Sequence, residues 1–142
     1  MYQKDFILRM IDMLAEIVAG IRGLISKGDF QKASQAIDVA YQNLLKQDAV
    51  FFDKIPVNQL TDRLIHKYNY TSGHLEILSE LIYTQAELSY AQRNYNESLE
   101  YYQKSLFLLE FVIKETETFS FEKQLRLSYL ENRIAILENE RS

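Results

Sequence analysis

One segment in the middle of the chain predicts two α-helices packed side by side. Residues 81–110 read LIYTQAELSYAQRNYNESLEYYQKSLFLLE, with two amphipathic runs separated at Arg93 and Asn94. Apolar or small residues recur every four positions before this break, and at steps of four and three after it, which is the spacing of one helical face. Because only two or three residues join the runs, the two helices must pack antiparallel. The chain is therefore expected to consist of helical hairpins.

Residue types at the helix ends indicate how each hairpin is closed. Asn94 is followed three positions later by Glu97, a spacing that predicts a capping box in which each side chain accepts from a backbone N–H of the new helix. Gly28 and Asp29 are expected to end the first helix and cap the second. Thr71 or Ser72 is expected to cap a helix that begins near His74.

Length and composition favour one all-α domain over residues 1–142. A chain of 142 residues can bury a core without crosslinks, and one Pro with four Gly leaves little room for a turn-rich β fold. The absence of Cys excludes a disulfide framework and a thiolate metal site. A net charge of −4 with interspersed signs argues against a nucleic-acid surface, which needs a clustered basic patch.

The pattern predicts about six helices in antiparallel hairpins. The first is expected from about Gln3 to Lys27, and its internal Gly20 and Gly23 indicate close approach of the next helix. The middle region from Gln47 to Gly73 is expected to hold only a short helix, from Pro56 to about Tyr68. The predicted helices are the first, the one after Asp29, the short middle one, the two of the 81–110 hairpin and the last, Phe121–Leu137.

The central hairpin resembles a tetratricopeptide repeat. The second helix of that family places aromatic and small residues alternately, and here those positions hold Tyr95, Ser98, Tyr102 and Ser105. Ala86, twelve residues before Ser98, matches the small residue of the family's first helix. Small residues at these places would let the two backbones approach closely. Arg93 stands where the family usually has Gly, and Glu110 where it often has Pro.

A second copy of the pattern lies near the start of the chain. Phe30, Ala33, Ile37 and Ala40 repeat the aromatic and small positions at the same offsets. The interval between Phe30 and Tyr95 is close to twice the usual repeat of about 34 residues. The resemblance therefore implies a short, right-handed, tetratricopeptide-like array in which these two rings play equivalent parts. Three further stretches, the opening YQKDFILRMIDML, the central GHLEILSEL and the late LLEFVIKETETFSFEKQ, extend a resemblance over nearly the whole chain. Through them the chain resembles a small family of bacterial proteins of unknown function, which implies a fold and no activity.

No group of residues predicts catalysis or metal binding. His74 lies near Glu76 and Glu80, but a metal site needs three or more convergent ligands, and neither His66 nor His74 has a second His one turn away. The chain lacks a Gly-rich phosphate loop and a nucleophile elbow. We therefore expect no enzyme activity, no cofactor and no metal.

Aromatic residues are the best candidates for binding a protein or peptide partner. Tyr is favoured at interfaces because it is large, stiff and amphipathic. The candidate partner-binding residues are Tyr83, Tyr90, Tyr101, Phe107 and Phe111. The alternative is a sensor of a small ligand or peptide, with an aromatic pocket between the short middle helix and the flanking hairpins.

Homodimerisation is compatible with the sequence, because apolar residues left exposed on the last helix would form a dimer seam. No segment is apolar enough to span a bilayer, since Arg9, Asp12, Glu16 and Arg22 interrupt the best candidate, residues 6–25. The same charges make this segment a poor secretory signal. We therefore expect a cytoplasmic protein that contacts neither membrane nor nucleic acid.

Overall fold

The computed structural model describes residues 2–117 and 120–141, with side chains for 6–117 and 120–140. Seven α-helices account for most of this part of the chain, and it contains no strand, which confirms the all-α class. Thr118 and Phe119, within the segment that carries the whole-chain resemblance, lie outside the described residues. The helices are α1 (Tyr2–Ser26), α2 (Phe30–Leu45), α3 (Ala49–Asp53), α4 (Leu60–Tyr68), α5 (Ser72–Ala91), α6 (Tyr95–Thr116) and α7 (Phe121–Arg141).

The middle region holds more helix than the sequence predicted. Besides α4, it contains the one-turn helix α3 and a 3-10 turn at Val57–Gln59. Asp48 starts α3 by accepting a hydrogen bond from the backbone N–H of Phe51 at 2.9 Å. Phe52 is buried against Tyr41 of α2, with ring centroids 5.7 Å apart. A single turn of this kind has no periodicity of its own, and it is held by packing on α2.

The predicted cap of α5 is confirmed. The Thr71 hydroxyl accepts from the backbone N–H of His74 at 3.3 Å, and the Thr71 N–H donates to Nδ1 of His74 at 3.1 Å. The two side chains therefore form a capping box, with histidine in the place where Glu or Gln is usual.

The predicted capping box at Asn94 is wrong. The Asn94 side chain makes no cap hydrogen bond, and Glu97 instead accepts from the hydroxyl of Ser89 at 3.0 Å. The turn is closed by the backbone, where Asn94 N–H donates to the carbonyl of Ser89 at 2.8 Å. Arg93 supplies the left-handed conformation, with φ of 66°.

The turn between α1 and α2 uses the same backbone closure. Gly28 ends α1 in the left-handed region, with φ of 80°, as the sequence predicted. The N–H of Asp29 donates to the carbonyl of Leu24 at 2.9 Å. Asp29 precedes α2 but its side chain makes no cap hydrogen bond, so its predicted role as a side-chain cap is wrong.

The predicted role of Gly20 and Gly23 is also wrong. Both are exposed on α1, and a Cβ added at either would meet nothing within 4 Å. Close approach occurs instead at Gly73, where a Cβ would collide with the side chain of Ile7. Gly73 is thus the glycine that lets the start of α5 lie against α1.

Helices α1, α5 and α7 run parallel to one another. Ile7, early in α1, lies against Gly73, early in α5, and Arg22, late in α1, pairs with Glu87, late in α5. The two helices therefore run in the same direction. On the other side of α5, Glu76 and Glu80 pair with Lys123 and Arg126 of α7 in the same order. Helices α2 and α6 follow α1 and α5 through short turns, and therefore return antiparallel. The core lies where α5 meets α1, α2 and α6.

Small residues mark the seam between α5 and α6, as predicted. Ser98 is fully buried, and its hydroxyl donates to the carbonyl of Ala86 at 2.8 Å. Further along, the hydroxyls of Ser79 and Ser105 each donate to the other residue's backbone carbonyl at 2.9 Å. Such contacts require the two helix backbones to lie close together.

The rings of Phe30 and Tyr95 are less buried than an equivalent core position would require. Phe30 is half-buried against the core. Tyr95 is 42% exposed and rests edge-on against Tyr90, with ring centroids 5.4 Å apart. The equivalence of the two rings therefore stays a prediction.

Candidate functional site

Helix α5 carries three carboxylates on the face that lies between α1 and α7. The helix is otherwise almost wholly buried, so Glu76, Glu80 and Glu87 have limited access to bulk water. They fall at steps of four and seven, which places them on one side of the helix. Buried or half-buried carboxylates need partners, and α1 and α7 supply them.

Glu87 receives contacts from its own helix and from three neighbouring helices. It is 9% exposed, and its carboxylate accepts from the hydroxyls of Tyr83, Tyr102 and Tyr129. The distances are 3.3 Å from Tyr83 and 3.0 to 3.1 Å from Tyr129. Arg22 of α1 completes the shell with an ion pair of 3.3 Å. One carboxylate therefore links α1, α5, α6 and α7.

This arrangement changes the titration of the surrounding tyrosines. Burial, followed by the negative charge of Glu87, raises the pKa of Tyr83, Tyr102 and Tyr129. These hydroxyls therefore keep their protons at neutral pH and act as donors to the carboxylate.

Two ion pairs join α5 to α7 nearer the start of both helices. Arg126 donates to both carboxylate oxygens of Glu80, from Nε and Nη2, at 3.0 Å each. Burial, the largest single influence, would lower the pKa of Arg126. The hydrogen bonds to Glu80 and the negative charges around the guanidinium together outweigh burial, so the pKa is raised. Lys123 pairs with Glu76 at 3.1 Å. The Arg126 guanidinium also stacks 3.7 Å from the ring centroid of Tyr83.

The far end of the α5–α7 contact is aromatic and cationic. The guanidinium of Arg133 lies 3.9 Å from the ring centroid of Tyr90 and 5.6 Å from that of Tyr129. Contacts of this kind stabilise a cation against a ring face. Charged and aromatic side chains thus line the whole length of the contact between α5 and α7.

A cavity of about 390 Å³ opens between α1 and α7, above the first half of α5. It is apolar on the α1 side and charged on the α7 side. We call it the α1–α7 cleft. Its lining residues are Ile11, Leu14, Ala15, Glu76, Ser79, Glu80, Leu109, Ser120, Glu122, Lys123 and Arg126.

Exposed apolar side chains lie next to the cleft on both walls. Leu8 of α1 is 51% exposed and lies two turns before Ala15 on the same face of the helix. On α7, Leu125 is 55% exposed and follows the lining residue Glu122 by three positions, which makes the two side chains neighbours on the helix surface. Phe121, one turn before Leu125, is 77% exposed and lies farther from the lining residues. Large apolar side chains in contact with water on both sides of a cavity are typical of a binding surface.

The five predicted partner-binding residues do not form one surface. Tyr83 is fully buried, so its ring contacts only this chain's own residues. Tyr90 is half-buried beneath Arg133. Tyr101 is half-buried on the opposite side of α5, where its hydroxyl lies 3.4 Å from Asp53 and burial raises its pKa. Phe107 and Phe111 are half-buried, one turn apart on α6.

The aromatic residues of the middle region pack against one another. The rings of Phe51 and Phe52 are 5.0 Å apart, and Phe51 is also 5.0 Å from Tyr68. Tyr70 stacks on His74 at 4.8 Å, and burial raises the pKa of Tyr70 to about 12. These rings contact one another, and the cavity of the α1–α7 cleft lies elsewhere.

Sequence reasoning missed the polar contacts that join α5 to α1 and α7. Glu87 and Arg126 were not singled out, and Glu80 and Arg22 were considered only for other roles. A usable signal was present, because α5 is apolar on several faces yet has Glu at 76, 80 and 87. The last helix repeats basic residues at 123, 126 and 133 with similar spacing. Two rows of opposite charge at matching steps indicate helices that lie side by side.

The described residues were also searched for membrane-spanning helices and for metal sites. None of their helices is long and apolar enough to cross a bilayer. Across the same residues, no three His, Asp or Glu side chains are placed to hold a metal ion. Compared with known proteins, the chain matched no family model, no curated protein and no solved structure.

Proposed function

We propose that this chain is a non-catalytic interaction module that holds a protein or peptide segment in the α1–α7 cleft. The observation that carries the proposal is a cavity of about 390 Å³ with exposed apolar side chains on both walls. Leu8 borders one wall, and Leu125, three residues after the lining residue Glu122, borders the other. Helical grooves with apolar walls bind partner helices or extended peptides in many interaction domains.

The same proposal includes a right-handed, tetratricopeptide-like array in the cytoplasm. Helices α1, α5 and α7 run parallel, and α2 and α6 run antiparallel to them, which supports the array. The close seam at Ser98 and Ala86 supports it too. Repeat arrays of this kind present a concave surface on one set of helices. The bacterial family and the cytoplasmic location rest on the sequence alone.

A non-catalytic role is supported by the state of the charged groups. The carboxylate of Glu80 accepts from Nε and Nη2 of Arg126. The carboxylate of Glu87 accepts from three tyrosine hydroxyls and forms an ion pair with Arg22. A general base must be able to exchange its proton with a substrate. Carboxylates fixed in this way are suited to position helices and to give the cleft its charge.

A small-ligand sensor is the second candidate, now at a different place from the one the sequence suggested. The α1–α7 cleft falls within the range of small-molecule sites, which is about 300–1,000 Å³. Its apolar wall and few charged groups are also typical of such sites. A homodimer is a further variant of the proposal, since Phe121 and Leu125 on α7 are exposed.

Substitution of a cleft residue tests the proposal. Ala15 is exposed and lines the cavity, so Ala15→Arg fills the cleft while leaving the core intact. Val39→Arg, at an exposed position of α2 on the other side of α5, is the matched control. Wild-type protein and the Val39→Arg variant should capture the same partners from the native cell, identified by mass spectrometry, and Ala15→Arg should lose them.

Equal capture by all three proteins would contradict the proposal. Native mass spectrometry separates the two candidates, because a bound small molecule would add a discrete mass to wild-type protein and to the control. Sedimentation of the wild-type protein over a range of concentrations tests the homodimer. A mass that stays at the monomer value up to the highest concentration would contradict it.

A further inference from the structure

We propose that the occupant of the α1–α7 cleft is an amphipathic peptide helix that carries Lys or Arg beside its apolar residues. This inference rests on the proposed function and adds the chemistry of the partner. It is argued from the distribution of apolar surface and charge around the cavity.

The apolar side of the peptide is set by the walls. Ile11, Leu14 and Ala15 form the α1 wall of the cavity, and Leu109 of α6 lies beneath them. Ala15 is small, so the wall leaves room for a large side chain from a partner. Leu8 and Leu125 extend the apolar surface outward on either side. An amphipathic helix, with large apolar residues at steps of three and four, fits such a surface.

The charge expected of the peptide follows from the charged side chains that line the cavity. Three carboxylates, Glu76, Glu80 and Glu122, face two cations, which leaves the cavity with a formal charge of −1. Each cation is already engaged by a carboxylate of α5 at 3.0 to 3.1 Å.

Glu122 is the carboxylate left over. It is exposed in the first turn of α7, beside Phe121, and no ion pair engages it among the described residues. A Lys or Arg flanking the partner's apolar face would meet this carboxylate at the mouth of the cleft. The whole chain carries a net charge of −4, which also favours the approach of a basic peptide.

A pair of synthetic peptides tests the charge. The probe is a fluorescein-labelled, helix-forming peptide with Leu on one face and Lys on its flanks, and its twin has Glu in place of every Lys. Fluorescence anisotropy with the full chain should show the Lys peptide binding at least about tenfold more tightly at low salt, with the difference shrinking at high salt. Equal affinities for the two peptides would overturn the proposal.

Two charge-reversing variants separate the cleft from the general acidity of the protein. Glu122→Lys should weaken the Lys peptide and strengthen the Glu peptide. Glu131→Lys changes the net charge by the same amount at an exposed position about two and a half turns further along α7, on the opposite side of the helix. The control should leave both affinities within about twofold of wild type, since screening limits remote charges. Equal effects of the two variants would overturn the proposal.

Leu125→Asp tests the apolar contact, and it should weaken the Lys peptide about tenfold or more. The remaining outcomes distinguish this inference from the proposed function. If neither peptide binds while Ala15→Arg still loses its cellular partners, the basic amphipathic occupant is wrong and the interaction module stands. If sedimentation shows a dimer that Leu125→Asp and Glu122→Lys both dissociate, the occupant is a second copy of this chain and the inference is overturned.

Discussion

Ser79 of α5 and Ser105 of α6 exchange hydrogen bonds, each hydroxyl donating to the other residue's backbone carbonyl at 2.9 Å. Both side chains are buried, and their hydroxyl oxygens are 3.2 Å apart. A helix pair held in this way has no space for a larger side chain at either position. The contact therefore fixes how closely α5 and α6 approach.

Enlarging Ser105 should destabilise the protein strongly. We expect Ser105→Leu to lower the free energy of unfolding by about 2–4 kcal/mol. The larger side chain overpacks the seam and pushes the Ser105 carbonyl out of reach of the Ser79 hydroxyl that donates to it. Ser105→Ala should cost only about 1 kcal/mol. Urea unfolding followed by circular dichroism measures both, with Ser128→Leu at an exposed position of α7 as the control. Similar losses for Ser105→Leu and the control would contradict the close seam.

Glu87 should be the most sensitive polar position in the chain. Glu87→Gln keeps the shape of the side chain but removes the charge that binds Arg22 and attracts three tyrosine hydroxyls. We expect a loss of about 2–4 kcal/mol in the free energy of unfolding, because buried donors are left with a poorer acceptor. Glu110→Gln, at an exposed position of α6, should change stability by less than about 0.5 kcal/mol.

Two Tyr→Phe variants, made singly and together, would show whether the hydroxyls around Glu87 act as one network. Tyr129→Phe removes the hydroxyl that α7 contributes, and Tyr102→Phe removes the one from α6. Losses that add independently would argue against a single shared network, whereas a coupling energy of about 0.5 kcal/mol or more would support it.

The helices and hairpins were predictable because their signals are local. The steps of four and three along α5 and α6, the short turn at Arg93 and the cap at Thr71 are all properties of neighbouring residues. The network around Glu87 depends on contacts with residues far apart in sequence, at 22, 102 and 129. No local pattern specifies such a meeting point, and for this reason the candidate site was missed while the fold class was predicted.

The errors at the glycines and at Asn94 have the same origin. Gly20 and Gly23 match a small-residue pattern, but which helix face meets a neighbour is decided by tertiary packing. The spacing of Asn94 and Glu97 allows a capping box, but Ser89 on the preceding helix is a better-placed donor to Glu97. Backbone hydrogen bonds then close the turn without the side chain of Asn94.

Replacing the two exposed glycines of α1 should stabilise the protein. Nothing lies within 4 Å of a Cβ at Gly20 or Gly23, and glycine within a helix costs about 1 kcal/mol relative to alanine. The double variant Gly20→Ala, Gly23→Ala should therefore raise the free energy of unfolding by about 1–2 kcal/mol. Gly73→Ala should lower it, because the new methyl group would collide with Ile7. A gain in stability for Gly73→Ala in the same urea titrations would contradict this packing.

The turn before α6 offers a second stabilising change. Arg93 is exposed and has φ of 66°, a conformation that glycine adopts without the steric cost of a Cβ. Arg93→Gly should raise the free energy of unfolding by about 0.5–1 kcal/mol. The neighbouring Gln92 has φ of −82°, so Gln92→Gly gains nothing in the folded state and should destabilise. The two variants should shift the melting temperature in opposite directions, and shifts of the same sign would contradict the left-handed turn.

The capping box of α5 should make stability depend on pH through His74. Its Nδ1 accepts from the N–H of Thr71 at 3.1 Å, and burial lowers the pKa of His74 below the ordinary value of 6.5. Between these two pKa values the unfolded chain binds more protons than the folded one, so stability rises with pH. The contribution is full above about pH 6.5, falls as the pH decreases below it, and levels off beneath the folded-state pKa.

His74→Gln isolates this effect, because glutamine keeps the capping-box spacing after Thr71 and does not titrate. Urea midpoints measured from pH 8 to pH 5 should fall more steeply for the wild type than for His74→Gln, and the difference should develop below about pH 6.5. His66→Gln removes the other histidine, which is exposed on α4. If His66→Gln abolishes the extra slope and His74→Gln retains it, the pH dependence does not arise at the start of α5.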